Sequence, residues 1–136
     1  MASYVLSLED RADHLFARVT ARFDSLALAL SYWTEIAEEC RRRGHDQVLV
    51  VRNVRVSASR SDTYQIVTAL RDIGFGRMRV AYVDQSPDTH ACAAFAESLA
   101  LQRGIDAQAF PSIERAAEWL AASAGFAPPL LAQAGG

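Results

Sequence analysis

Three serines and two arginines lie close together in the stretch RVSASRSDT, residues 55–63. They follow an apolar run and precede a segment with helical periodicity, so they occupy a strand-to-helix connection. Open α/β sheets usually bind ligands at the carboxyl ends of their strands, and the free amides of a helix start can hold an anion there. Serine and arginine side chains could assist those amides. The predicted partner or ligand loop comprises Arg55, Ser57, Ser59, Arg60 and Ser61.

The same loop has a purely structural interpretation. A serine just before a helix is first of all an N-cap, and Ser61 followed by Asp62 fits that position. The loop contains no glycine, whereas a phosphate cradle of the P-loop kind needs glycines so that the backbone can approach the phosphates. Nucleotide binding of that type is therefore disfavoured. A capped polar turn and a binding loop both stay open.

A second polar connection, DQSPDTH at residues 84–90, follows the next predicted strand and should lie beside the first loop. Its candidate residues are Asp84, Ser86 and Asp88. Asp84, Asp88 and His90 could be grouped as a metal or acid/base set, but His90 has no second His or Glu four residues later. Ser86 as the N-cap of the next helix explains the segment as a turn. We predict no metal site and no cofactor.

Nucleophilic catalysis has little support in the sequence. His14 and His45 flank strands at turn-like positions, where exposure is expected, and nothing joins them to a nucleophile as a triad. Cys40 and Cys92 fall at apolar positions of predicted helices, outside any CxxC or Cys/His spacing. That placement favours buried thiols in a reducing cytoplasm. We therefore expect a protein that is not an enzyme.

A length of 136 residues, with 51% hydrophobic and 22% charged residues, is typical of one globular domain. The formal net charge of −2 argues against a nucleic-acid footprint. No apolar run approaches the roughly 20 residues of a membrane span, and the N-terminus lacks an export signal. We expect one cytoplasmic domain over residues 1–123. Pro-Pro and Gly-Gly pairs predict a flexible tail at residues 124–136.

Periodicity predicts an α/β fold with the element order ββαβαβαβα. YVLSLE and HLFARVTARF alternate with a period of two, which predicts an antiparallel hairpin. Asp24 or Ser25 can cap the first helix, and Gly44 ends it. The β-branched run QVLVV, Gln47–Val51, is expected at the centre of the sheet, and the short strand DAQAF at an edge. Strand-helix-strand units then predict a mixed sheet of about five strands, parallel after the hairpin, with about four helices.

One face of the second predicted strand carries Phe16, Arg18, Thr20 and Arg22. If helices cover one side of the sheet more fully than the other, this stripe and Phe16 face outward and could meet another protein or a second copy. Paired with Ser7 and Glu9 across the hairpin, the stripe is equally a solvated face.

The hairpin, the VLVV strand, the serine-rich loop, and the ending DAQAF with Ser112 and Trp119-Leu120 resemble the SpoIIAA-like branch of the STAS domains. The resemblance extends over roughly Tyr4 to Ala122. STAS domains include anti-sigma-factor antagonists and the cytoplasmic tails of sulphate transporters. The resemblance implies a non-catalytic regulatory or protein-interaction domain, whose partner could be an anti-sigma-factor-like kinase or a second copy. Contact would be made through the loop at residues 52–63 and the adjoining helix.

In phosphoregulated STAS domains, a partner kinase modifies a serine or threonine of this loop, and that residue corresponds to Ser59 here. Ala58, Arg60 and Ser61 stand where the family pattern has Asp, Ser and Gly, so the switch motif carries over poorly. A second implication is a small-molecule or lipid-like ligand, since related β/α sandwiches carry lipids. Abundant alanine on the third and fourth helices could leave room for one, or could let the helices pack closely.

Overall fold

The structure, a computed structural model, describes residues 4–56, 58–85 and 90–122, apart from the side chains of residues 90–92. Three candidate loop residues, Ser57, Ser86 and Asp88, lie outside the described residues, as does the expected tail at residues 124–136. Within the described ranges, no helix is both long enough and apolar enough to cross a membrane.

One mixed sheet of five strands forms the centre of the structure. Its strands are β1 (Val5–Asp10), β2 (Leu15–Phe23), β3 (Gln47–Val56), β4 (Arg79–Asp84) and β5 (Asp106–Phe110). They lie side by side in chain order, which places DAQAF at an edge as expected. The first two strands are antiparallel and all later neighbours are parallel, because the short polar connection permits a hairpin whereas the others contain helices.

Three helices cover one face of the sheet and a fourth covers the other. They are α1 (Leu26–Arg43), α2 (Arg60–Leu70), α3 (His90–Gln102) and α4 (113–122). Successive right-handed crossovers in one direction place α1, α2 and α3 on the same side. Together with the strands, they confirm the predicted order ββαβαβαβα.

The central strand β3 is buried on both faces. Val48 and Val50 pack in one apolar cluster with α1, α2 and α3, whereas Leu49 and Val51 pack with α4. All four side chains are fully buried, because successive residues of a strand point to opposite faces of the sheet. The continuous run of β-branched and leucine residues thus belongs to a strand covered on both sides, as predicted.

The first helix begins and ends near the predicted residues. Ser25 Oγ accepts a hydrogen bond from the Leu28 amide at 3.2 Å, so Ser25 rather than Asp24 is the N-cap. Gly44 follows the last turn in the left-handed conformation, with φ 80°. The arginines Arg41–Arg43 lie in that last turn, where they face the negative end of the helix dipole.

The second helix continues into a π-helical turn, Arg71–Phe75. Gly74 has φ 139° there, a conformation that side chains with a Cβ rarely adopt, and an added Cβ would lie 3.5 Å from the Ala37 Cβ. The turn directs Phe75 into the core, where its ring is edge-on to the Trp33 ring at 5.4 Å between centroids. The turn therefore closes α2 against α1.

The apolar run predicts a third strand that ends at Val51, but β3 continues to Val56. The longer strand arises because β2 supplies pairing partners up to its own end, where Phe23 lies opposite Val56. Arg52 and Arg55 are consequently strand residues rather than loop residues.

The expectation that Phe16 faces outward is wrong. Its side chain is buried in the cluster beneath α4, because that helix returns across the second face of the sheet. Arg18 is half-buried with its guanidinium 5.6 Å from the Phe16 ring centre, and Thr20 and Arg22 are exposed. The stripe is therefore exposed to solvent where α4 does not cover it, at Thr20 and Arg22.

Candidate functional site

A buried arginine lies near the carboxyl ends of the parallel strands. Arg52 is on the face of β3 that α1, α2 and α3 cover, and its side chain is 6% exposed. Its Nη1 donates hydrogen bonds to Asp24 Oδ2 at 2.8 Å and to the Tyr32 hydroxyl at 3.2 Å. The Tyr32 hydroxyl donates to the same Asp24 oxygen at 2.8 Å. Asp24 connects β2 to α1, so this network joins a strand end, a helix and the central strand.

A second carboxylate faces the same guanidinium. Asp84 lies opposite Arg52 in the register of β3 and β4, and its Oδ2 is 3.8 Å from Arg52 Nη2. That distance suits an ion pair and exceeds a hydrogen bond. The sequence predicts Asp84 in the second loop, but the structure buries it as the last residue of β4, with a side chain 1% exposed. The guanidinium carbon is also 5.6 Å from the centre of the Tyr82 ring.

The charge state of this network follows from its surroundings. Burial alone would lower the pKa of Arg52, but the Tyr82 and Tyr32 hydroxyls and the carboxylates of Asp84 and Asp24 raise it above its ordinary value. Arg52 is therefore a cation. Burial, more than the adjoining Asp24 carboxylate, raises the pKa of Tyr32 well above its ordinary value, although Arg52 opposes the shift. The Tyr32 hydroxyl therefore keeps its proton and can donate it in a hydrogen bond.

Arg52 has hydrogen-bonding capacity that the described residues do not use. Its Nε and Nη2 atoms are buried and have no hydrogen-bond partner among them. A guanidinium presents five N–H donors, and leaving a buried donor unsatisfied costs about 1–3 kcal/mol. Such groups are rare in folded proteins, and an ordered water or a ligand commonly satisfies them.

A cavity of about 60 Å³ adjoins this guanidinium. It lies between α2 and α3, over β4 and β5, and its wall is mostly aliphatic. The polar or aromatic side chains that line it are Trp33, Arg52, Thr63, Tyr82, Glu97 and Gln108. Because a water needs roughly 10–15 Å³ of such space, the cavity can hold several waters or a molecule of a few heavy atoms.

Small side chains on α3 create this space. Ala93, Ala96 and Ala100 line the cavity at helical spacings of three and four residues. The alanines of α4 do not line it, because α4 lies on the opposite face of the sheet. Of the two alanine-rich helices that suggested room for a ligand, α3 is thus the one that borders a cavity.

Ser59 of the first predicted loop caps α2. Its Oγ accepts a hydrogen bond from the Asp62 amide at 3.0 Å. The assignment of the cap to Ser61 is wrong, because the helix begins at Arg60 and Ser61 is its exposed second residue. Both Ser59 and Ser61 are accessible at the surface.

The two arginines of that loop have separate surroundings. The Arg60 guanidinium lies 4.0 Å from the centre of the Phe95 ring, a cation–π contact that links α2 to α3. Arg55 is exposed on β3 and lines a different, open groove of about 830 Å³ beside the ends of β2 and β3. The structure therefore does not gather the described residues of this loop into one site.

Two of the three histidines, His14 and His45, lie at the opposite end of the parallel strands. His14 is expected to be exposed, but it is only 4% exposed, with Nδ1 2.6 Å from Asp13 Oδ1. It is buried because Gln47 donates to the carbonyls of Asp13 and Leu120 and so ties α4 over this corner. In the described ranges, no group of three or more His, Cys, Asp or Glu side chains could hold a metal ion.

His45 lies near the same end as His14. Its Nε2 is 2.8 Å from Asp10 Oδ1, and this hydrogen bond, together with attraction to Arg43, lowers the pKa of Asp10. His45 thus pairs with a surface carboxylate and adjoins no cavity found in the described residues.

Sequence reasoning missed the network around Arg52. The available signal is that Val48, Val50 and Arg52 alternate along one strand, so a strand longer than predicted carries Arg52 onto the buried face. Asp24 is assigned by sequence only to helix capping, whereas it pairs with Arg52 and accepts from the Ser25 amide at 2.9 Å.

The strand order, the single antiparallel pair and the helices on both faces define a SpoIIAA-like fold. A solved structure with this fold, an uncharacterised protein of the DUF3478 family from Shewanella loihica, matches the chain with a TM-score of 0.52. The two are 12% identical, and the match covers 88% of this chain and 95% of that chain. No protein-family model and no curated protein matches the sequence. The likeness confirms the predicted fold.

Proposed function

We propose that this chain is a non-catalytic domain that binds a small molecule in the cavity beside Arg52. The observation that carries the proposal is a buried guanidinium with two unsatisfied nitrogen atoms that lines an otherwise mostly aliphatic cavity. Ligand sites commonly combine apolar walls with a few fixed polar groups that orient the ligand. Here the walls would contact carbon atoms, and Arg52 would donate hydrogen bonds to an oxygen atom.

If this ion pair served only to stabilise the fold, more of the Arg52 N–H groups would be expected to make hydrogen bonds. Buried pairs are stabilising only where further hydrogen bonds satisfy the remaining donors. Among the described residues, Arg52 donates hydrogen bonds through Nη1 alone, to Asp24 and to Tyr32. The unused donors and the adjoining space together favour an occupant.

Filling the cavity tests this proposal. Ala100→Leu places a larger side chain in it, whereas Ala94→Leu adds the same atoms at an exposed position of α3. Native mass spectrometry of gently purified protein should detect a bound small molecule in the wild type and in Ala94→Leu, but not in Ala100→Leu. The absence of bound mass from the wild type, or its equal retention by both variants, would contradict the proposal.

A second candidate function is protein binding, as the fold resemblance implies. It is favoured by the open groove beside β2 and β3, near which Phe23 and Val56 are 64% and 60% exposed. Arg22 and Arg55 line this groove, and no carboxylate of the described ranges does. Charge complementarity favours an acidic partner segment with an apolar anchor, because such a segment would satisfy both the arginines and the exposed apolar side chains.

A designed peptide can test the second candidate. An acidic peptide with phenylalanine anchors should bind in fluorescence anisotropy, and its lysine counterpart should not. Phe23→Ser and Arg55→Glu should each weaken binding about tenfold, whereas Arg115→Glu, on the exposed side of α4, should not change it. Equal binding of both peptides would argue against the groove. A dimer that Phe23→Ser dissociates would assign the groove to a second copy instead.

Phosphorylation could modulate that second function. A phosphate on Ser59 would place negative charge beside the N-terminal amides of α2 and next to Arg60, where it is electrostatically favoured. Phosphopeptide mapping of native protein tests this, with Ser57 and Ser61 examined in the same experiment. If other host phosphoproteins are detected and these serines are unmodified, the modulation is contradicted.

A further inference from the structure

We infer that the cavity beside Arg52 takes an uncharged molecule that presents a hydrogen-bond acceptor, such as the carbonyl of a small amide, ketone or ester. This inference rests on the proposed ligand-binding function and specifies the class of its ligand.

The charges around Arg52 disfavour an anionic ligand. One cation faces two carboxylates, at 2.8 Å for Asp24 and 3.8 Å for Asp84. Both carboxylate side chains are at most 1% exposed, so water screens them little. A ligand carboxylate would therefore be a third carboxyl group beside this one guanidinium in a desolvated site, which is unfavourable.

A further carboxylate borders the same cavity. Glu97 lines it and accepts a hydrogen bond from the Ala109 amide through Oε2 at 2.8 Å. Arg52 is the only basic residue lining the cavity in the described part of the chain. One guanidinium and one carboxylate thus line the cavity, so its described wall carries no net positive charge that would attract an anion.

The donors of Arg52 disfavour a cationic ligand. A cation would approach the guanidinium itself, and an ammonium group has no acceptor for the unsatisfied N–H groups of Nε and Nη2. A neutral carbonyl oxygen has two lone pairs and adds no net charge. It can satisfy one or both of these donors while its alkyl part contacts the alanines of α3.

The size of the cavity limits the ligand to a few heavy atoms, or to one end of a longer molecule. Isobutyramide and isobutyrate suit a test because they have nearly the same shape and differ in charge. Each is titrated into ¹⁵N-labelled full-length protein at pH 7, and binding is followed by amide chemical shifts. Isobutyramide should bind at least about tenfold more tightly, with shifts in α2 and α3.

Three variants test whether the difference in affinity between the two probes arises in the cavity and from its charges. Binding of isobutyramide should be lost in Ala100→Leu and kept in Ala94→Leu. Asp84→Asn removes one negative charge and should reduce the ratio of the two affinities, amide over carboxylate, several-fold. If Asp84→Asn does not fold, Glu97→Gln provides the same comparison at the other side of the cavity.

The outcomes distinguish this inference from the proposed function. Equal or tighter binding of isobutyrate, sensitive to Ala100→Leu, would overturn the uncharged ligand and keep the cavity as a binding site. Shifts from both probes that Ala100→Leu does not alter would overturn both statements. A lack of response to either probe at high millimolar concentration would do the same.

Discussion

Replacing Arg52 with methionine should lower the free energy of unfolding by about 2–4 kcal/mol. Methionine retains an unbranched apolar stem, so the change mainly removes charge and hydrogen bonds. It removes the contacts of Nη1 with Asp24 at 2.8 Å and with Tyr32 at 3.2 Å. Asp24 keeps hydrogen bonds from Tyr32 and the Ser25 amide, but its fully buried carboxylate loses its cation.

Two opposing effects give this magnitude. Breaking a buried ion pair by removal of one partner costs about 3–5 kcal/mol, because the other charge stays buried and uncompensated. Methionine also eliminates the two unsatisfied nitrogen atoms, which returns about 1 kcal/mol or more. The remaining loss is a large part of the roughly 5–15 kcal/mol that stabilises an ordinary domain.

Urea denaturation, followed by tryptophan fluorescence, measures the effect. With a slope of about 2 kcal/mol per molar urea, in the middle of the usual range, the midpoint should fall by roughly 1–2 M. Arg55→Met, an exposed change on the same strand, is the matched control and should stay within about 0.5 kcal/mol of wild type. The double variant Asp24→Asn, Arg52→Met should lose less unfolding free energy than the two single variants together, by at least about 1.5 kcal/mol. Additive costs, or equal costs for Arg52→Met and Arg55→Met, would refute the reasoning.

Three further predictions concern the cap of α2, the π-helical turn and the buried thiol. Ser59→Ala should lose about 1 kcal/mol of stability because it removes the hydrogen bond from the Asp62 amide. Ser61→Ala should be nearly neutral in the same urea assay. A larger loss from Ser61→Ala than from Ser59→Ala would assign the cap to Ser61. Gly74→Ala should cost about 1–3 kcal/mol because φ is 139°, and a neutral result in thermal unfolding would argue against that conformation. Burial raises the pKa of the Cys40 thiol to about 12. In a variant whose other cysteine is replaced by serine, Cys40 should therefore react with Ellman's reagent at pH 8 only after unfolding. Rapid reaction of the folded protein would show an accessible thiolate.

The fold could be predicted because its signals are local. The period of two in the first strands, the apolar run of β3 and the Gly44 stop each depend on residues that are close in the chain. The extension of β3 to Val56 was not predictable in this way, because its cause is the length of the neighbouring strand β2. The burial of Phe16 likewise depends on α4, which is about a hundred residues away in the chain.

The candidate site could be predicted only in part. The sequence directs attention to the carboxyl ends of the parallel strands and to the alanines of α3, where the structure places Arg52 and a cavity. It cannot show that Asp24, Arg52 and Asp84, which belong to three separate elements, converge on one guanidinium. Polar residues at strand ends are equally common in solvated turns, so their residue types alone do not distinguish an exposed loop from a buried network.

The arrangement of the strands in chain order affects how the molecule can assemble during synthesis. Each parallel strand pairs with the strand made just before it, so every new strand-helix unit can dock on an edge that already exists. The second face is different, because Phe16, Leu49 and Val51 are covered by α4, the last helix of the described chain. A nascent chain that has completed four strands would still present this apolar face to solvent. Premature termination before α4 should therefore give a chain with a formed sheet and a strong tendency to aggregate.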